Sequence, residues 1–166
     1  MMLVGEQPGD KEDIAGRPFV GPAGKILDQA LSEAGMDRDK VYVTNAVKHF
    51  KNEPRGKRRL HNKKPNAGEI ETCRWWLHRE LSLVRSRLTV ALGASAASAL
   101  MHRPVTIARV RAQAVETALG ALWITVHPSF LLRQPNEAAR QREFVRFVKD
   151  LEGAKDWLAS HGKRVL

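Results

Sequence analysis

The sequence predicts an α/β fold, a three-layer αβα sandwich around a mostly parallel sheet of about four strands. Three observations carry this. Short β-branched or apolar runs recur along the chain, each stopped by a turn residue. Segments of helical apolar period stand between them. Those segments are long enough for crossover connections, which make neighbouring strands parallel and cover both sheet faces.

The elements follow in order. Residues 2–4 are an apolar run stopped by Gly5, a first strand. From Pro22, the residues Ala23, Ile26, Leu27, Ala30, Leu31 and Ala34 fall at helical spacing, and Gly35 ends that helix. Residues 41–45 are β-branched and aromatic, a second strand. Residues 50–64 are polar, basic and Gly/Pro-bearing, and read as a loop. Ala67–Val84 reads as a helix with Ile70, Cys73, Leu77, Leu81 and Val84 on its apolar stripe. Residues 88–92 are a third strand, ending at Gly93 before an Ala-rich helix to about Met101. Residues 105–119 are ambiguous, with a hairpin as one reading. Residues 122–126 are a fourth strand. Residues 137 to about 158 form a long last helix with Phe144, Phe147, Val148 and Leu151 facing inward. No repeat or interdomain linker breaks the pattern, so residues 1–166 read as one domain.

Composition narrows the partners. Lys and Arg total 28 against 18 Asp and Glu, a net charge of +10, which favours polyanions through counterion release. The surplus is uneven: residues 55–64 hold six Lys or Arg and no acid. One-sign charge at that density repels itself unless a polyanion is its neighbour. Cys73 is the single cysteine, so there is no intrachain disulfide framework. No apolar run approaches the ~20 residues needed to cross a bilayer, and no signal peptide is visible. A cytoplasmic monomer is the default expectation.

In open α/β sheets, ligands bind outside the carboxyl ends of the strands. Glu6, Gln7 and Asp10 follow the first strand, Asn45 and His49 the second, Gly93-Ala94-Ser95 the third, and His127 and Ser129 the fourth. Taken singly, each has a plain explanation. Gly5-Glu6-Gln7-Pro8-Gly9 can be a tight turn, Asn45 a cap, Phe19 a core ring, His127-Pro128 a rigid turn and Cys73 a buried helix residue. Their convergence on one sheet edge argues for a site.

The motifs then resemble a known family. Gly5-Glu6-Gln7-Pro8-Gly9-Asp10-Lys11-Glu12-Asp13, continued by Gly16-Arg17-Pro18-Phe19-Val20-Gly21-Pro22-Ala23-Gly24, is similar to the first motif of the iron–sulfur uracil-DNA glycosylases. Val43-Thr44-Asn45-Ala46-Val47-Lys48 resembles their second motif and His127-Pro128-Ser129 their last. Gln7 and the loop Lys57-Arg58-Arg59-Leu60-His61 resemble the X-type branch, whose loop usually reads Lys-Arg-Arg-Ile-His; Leu60 is a conservative departure.

The resemblance implies excision of uracil from DNA, and single-stranded DNA is the expected partner. In the X-type branch it also implies covalent attachment to the abasic product through the loop histidine, here His61. It makes Phe19 the stacking ring and Asn45 the amide that reads the uracil edge, with Gln7 beside them. His127 would stabilise the departing base, and Glu6 and Asp10 the sugar cation or a water. Lys57, Arg58, Arg59 and Ser129 would hold DNA. The family carries a four-iron, four-sulfur cluster, for which His49 and Cys73 resemble two ligands, whereas its upstream Cys-x-x-Cys pair has no counterpart here. Two ligands cannot hold a cubane that takes four. Either an upstream segment with that pair is missing, which the otherwise intact motif set favours, or the cluster has been lost. A uracil-DNA binding or sensing module with little turnover is the alternative function.

Overall fold

The computed structural model describes residues 1–51 and 64–161 in full, and the backbone of residues 53–55 and 58–60. Strands β1 (Met2–Gly5), β2 (Tyr42–Asn45), β5 (Thr89–Leu92) and β7 (Gly120–Thr125) are parallel and carry the sheet, as the crossover spacing requires. A fifth strand, β6 (Ala114–Thr117), adds antiparallel to β7, so the sheet has one strand more than the four expected and runs β2-β1-β5-β7-β6. The ambiguous stretch therefore holds a short helix, Ile107–Val110, and one strand of a hairpin whose other strand is β7. Its polar β6 escaped detection because an edge strand half in solvent needs no continuous apolar run.

The basic stretch read as a loop holds a second, two-stranded sheet: β3 (Glu53–Arg55) pairs antiparallel with β4 (Arg58–Leu60). Strands of three residues are too short to leave a period-2 signal. Lys57 and His61 lie outside the described residues, as do the side chains of Arg58 and Arg59.

Side chains alternate across the sheet as the pleat dictates. Leu3, Val90, Leu92 and Trp123 face helices α2 (Pro22–Glu33) and α7 (Glu137–His161), where Leu27, Leu31, Phe147 and Leu151 complete one core layer. Met2, Val4, Ala91, Leu122 and Ile124 face α3 (Ala67–Val84) and α4 (Ala94–Met101) in the other. Helix α7 runs three residues beyond the expected end. Three short helices complete the fold: α1 (Asp10–Ala15), α5 (Ile107–Val110) and α6 (Ser129–Leu132). Among the described residues no helix is long and apolar enough to cross a membrane.

The strand order contains a switch point. From β1 the chain moves outward to β2 and then returns to β5 on the other side of β1. The connections leaving β1 and β5 diverge, opening a crevice at the carboxyl end of the sheet.

Candidate active site

A cleft of about 1400 Å³ occupies that crevice. Glu6, Gln7, Asp10, Phe19, Asn45, Ser129 and His127 all line it, so seven of the expected site residues come together. His49 and Cys73 do not line it.

Its floor is built on close approach. Gly5 closes β1 in register with Asn45 at the end of β2. A Cβ on Gly5 would lie 2.4 Å from Asn45 Oδ1 and 2.7 Å from the Phe19 ring, so only glycine lets amide and ring meet there. Phe19 has φ of +57°, uncommon for a residue with a Cβ, and its backbone sits against α2. There Gly24 admits it, because a Cβ on Gly24 would fall 1.9 Å from the Phe19 carbonyl oxygen. Glu12 holds the loop shut by accepting from the N–H of Gly9 at 3.2 Å and of Gly21 at 2.8 Å. The Gly-Pro motif and the Phe19 motif are thus one clamped loop that presents a strained aromatic ring.

Asn45 is buried, and among the described residues no side chain hydrogen-bonds its amide. Its backbone is fixed from below. Lys48 Nζ donates to the Asn45 carbonyl at 2.7 Å, to Thr44 Oγ1 at 2.8 Å and to Glu80 Oε2 at 2.5 Å. Buried amides are normally satisfied, so a fixed amide facing a cleft is prepared for a ligand with a polar edge.

His127 stands across from Phe19, with ring centroids 5.6 Å apart. Its Nδ1 accepts from the Ser129 N–H at 3.1 Å, and the Ser129 hydroxyl lies 2.8 Å from the same nitrogen. Arg133 Nη1 donates to that hydroxyl oxygen at 2.9 Å, leaving its proton to point at Nδ1. A nitrogen accepting from a backbone N–H carries no proton, so the neutral ring bears its hydrogen on Nε2. Ser129 therefore sets the tautomer of His127, a role the sequence reading did not give it.

Ser95 is a second residue the sequence placed nearby without a task. Its hydroxyl donates to Glu6 Oε2 at 2.5 Å across the switch point. Phe130 and Leu132 were not singled out at all. They line the cleft and are 38% and 44% exposed, two large apolar side chains on the short helix after His127.

His49 turns away from the cleft and meets Cys73, with Nδ1 and Sγ 3.7 Å apart. The Lys48 N–H donates to the same sulfur at 3.5 Å. Two adjacent soft donors with an N–H on the sulfur suit one edge of an iron–sulfur site. Among the described residues, however, no group of three or more His, Cys, Asp or Glu could hold a metal. The described donors alone do not fit a cubane, and no chemical step below passes through one.

A family model of the uracil DNA glycosylase superfamily matches residues 1–152. Three curated relatives carry the name type-4 uracil-DNA glycosylase. The protein from Pyrobaculum aerophilum is 38% identical over 143 residues, 81% of this chain and 69% of the relative. That from Thermotoga maritima is 36% identical over 165 residues, 98% of this chain and 79% of the relative. That from Archaeoglobus fulgidus is 32% identical over 163 residues, 93% and 78% of the two chains. Family match and identity together assign the chain to the uracil DNA glycosylase superfamily.

Proposed function

We propose that this protein excises uracil from DNA and, as in the X-type branch it resembles, is captured by its abasic product through His61. The observation that carries the excision reading is the buried Asn45 amide, held rigid and facing a cleft shared with the Phe19 ring and His127. Superfamily membership and the names of the relatives support the same reading.

A uracil inside a stack is out of reach and must be flipped into the pocket. Phe19 supplies the stacking surface, and the Asn45 amide pairs a donor and an acceptor with the base edge. Phe130 and Leu132 at the rim suit the gap that the flipped base leaves, as apolar wedges do elsewhere. The C1′–N1 bond then breaks and its electron pair leaves with the base. His127 donates from Nε2 to the developing anion on the uracil oxygen, an oxyanion-type role. The sugar is left as an oxocarbenium cation, which Glu6 and Asp10 stabilise. Two nucleophiles compete for it. A water positioned by Glu6 or Asp10 gives up a proton to the carboxylate and yields a free abasic site. A neutral His61 instead forms a C1′–N bond through its ring lone pair and releases its other N–H proton to solvent, leaving the protein attached. Lys57, Arg58 and Arg59 hold the flanking phosphates in this reading, and Ser129 acts at the strand through His127.

His49 and Cys73 are read as two of the four donors that a four-iron, four-sulfur cluster would take. The test of the excision reading is release of free uracil from a uracil-containing single strand. Asn45→Ala is expected to lower it by about 10²–10³-fold while uracil-free DNA still binds. Undiminished release by that variant would remove Asn45 from the site.

A further inference from the structure

Helix α3 carries a feature that base excision does not use. It buries Leu77 in the core layer under the sheet and Cys73 beside His49, whereas the adjacent Trp75 and Trp76 are 56% and 57% exposed and belong to neither core layer. Their rings meet edge-on, with centroids 4.6 Å apart at 86°. The Arg79 guanidinium lies 5.2 Å from the Trp75 ring centroid. One turn further on, Leu83 is 82% exposed. Indoles are large apolar groups, and a pair left in water marks a surface with a partner.

Charge identifies the partner. Residues 48–87 contain 12 of the chain's 28 Lys and Arg but only 4 of its 18 Asp and Glu. This quarter of the sequence therefore holds a surplus of eight positive charges, out of ten for the whole chain. A stretch of sequence so composed suits a polyanion better than an acidic or mixed protein surface. Indoles together with a guanidinium are the surface on which unpaired bases stack. A duplex hides its base faces and gains nothing from such rings.

Position makes the contact possible. Lys64 lines the cleft, and Asn66 caps α3 two residues later. The helix starts at the cleft edge and runs away from it, toward the start of β5. Trp75 lies eight residues beyond Ala67, about 12 Å along the axis. A strand leaving the cleft past Lys64 reaches the indoles within the roughly 4–16 nucleotides of a single-strand site.

We propose that Trp75, Trp76 and Arg79 form a stacking platform for unpaired bases of single-stranded DNA outside the base pocket. The platform rests on the excision reading only in that the strand it holds is the substrate strand. Such a platform would favour single strands over duplex.

The probe is a uracil-free 15-nucleotide oligothymidine, compared with a blunt duplex of equal length. In the Trp75→Ala/Trp76→Ala variant, single-strand affinity is expected to fall about 10-fold or more and duplex affinity less than twofold. Trp75→Phe/Trp76→Phe keeps the π faces and is expected to restore most of the loss. Oligothymidine is also expected to quench the intrinsic fluorescence of the unaltered protein, a measurement independent of whether the variants fold. Unchanged single-strand affinity overturns the proposal. So does an equal loss for duplex, which indicates a general electrostatic effect, or a Trp-dependent self-association with DNA binding unaltered. Because the probe carries no uracil, failure of the unaltered protein to release uracil would sink the excision reading and leave this test standing.

Discussion

The hydroxyl of Ser95 donates to the Glu6 carboxylate across the point where the sheet reverses direction, tying the loop after β1 to the first turn of α4. The bond orients one carboxylate oxygen of a residue that lines the cleft. A hydrogen bond to a charged group contributes about 1.5–3 kcal/mol. Ser95→Ala is therefore expected to slow single-turnover uracil release by roughly 10–100-fold, with little change in melting temperature. An unaltered rate would mean that Glu6 does not work from this geometry.

Gly5 offers a sharper probe of the pocket floor. A methyl group there would sit 2.4 Å from Asn45 Oδ1 and 2.7 Å from the Phe19 ring, so one of them must move. Gly5→Ala is expected to cost about 10²-fold in uracil release, the usual result of a misplacement near 1 Å. Binding of uracil-free DNA depends on charge and is expected to persist. Full activity in this variant would show that the ring and the amide need not meet over Gly5.

These two sites mark what the sequence disclosed and what it hid. Strand ends stopped by Gly5, Asn45, Gly93 and His127 were readable, because a strand buried on both faces is apolar until it leaves the sheet. Their convergence followed from parallel crossovers alone. The Ser95–Glu6 bond was not readable, since its partners are 89 residues apart and meet only through the strand order. Glu12 carries no signal of its task in the sequence, yet it fastens Gly9 to Gly21. The left-handed backbone of Phe19 had no local signature either, since Gly24, which makes room for it, lies on the next helix. Pairings of distant residues, unlike periodicities, leave no trace in a single sequence.

The strand end that carries His127 is anchored by a charge network, and it titrates. Thr125 Oγ1 donates to Asp150 Oδ2 at 2.5 Å, and Arg111 Nε donates to the same oxygen at 2.7 Å. Arg111 Nη1 and Arg146 Nη1 donate to the two oxygens of Glu143 at 2.9 and 2.7 Å. Burial pushes the Glu143 carboxyl up, but the hydrogen bonds and charges of Arg111 and Arg146 outweigh it and leave the pKa below its ordinary 4.5. A carboxylate depressed in the folded state contributes its stability above the unfolded value and loses it as pH falls through the folded one. Glu143→Gln is thus expected to lower the melting temperature at pH 7, and the gap from the unaltered protein is expected to close below about pH 4.5. A gap that stays constant down to pH 3 would show that Glu143 acts through packing and not through its charge.

In the proposed reading His49 and Cys73 would supply only two of the four donors that a cubane takes. The 166-residue chain is therefore expected to purify with less than stoichiometric iron and sulfide, measured by chemical assay and visible absorbance. In a chain extended upstream with a Cys-x-x-Cys pair, Cys73→Ser is expected to bleach the colour. Stoichiometric iron in the 166-residue form would mean that other residues complete the site.

In the proposed reading, His61 decides between two fates of the same sugar cation. It ends the basic segment Lys57-Arg58-Arg59-Leu60-His61, the part of the chain that sets the X-type resemblance apart from the wider superfamily. Covalent capture predicts a shifted band that survives heat on a denaturing gel with uracil-containing single-stranded DNA. His61→Ala is expected to abolish that band. Glu6 and Asp10 line the cleft, and a water that they position could take the place of His61 at the anomeric carbon. Uracil release is then expected to continue in His61→Ala, and to turn over repeatedly where the unaltered protein stops after one cycle. A cross-link that persists in His61→Ala, or a DNA–peptide adduct mapping to His49 or His127, would overturn the assignment. Loss of release together with loss of the band would mean that His61 helps to break the glycosidic bond as well as to trap what remains.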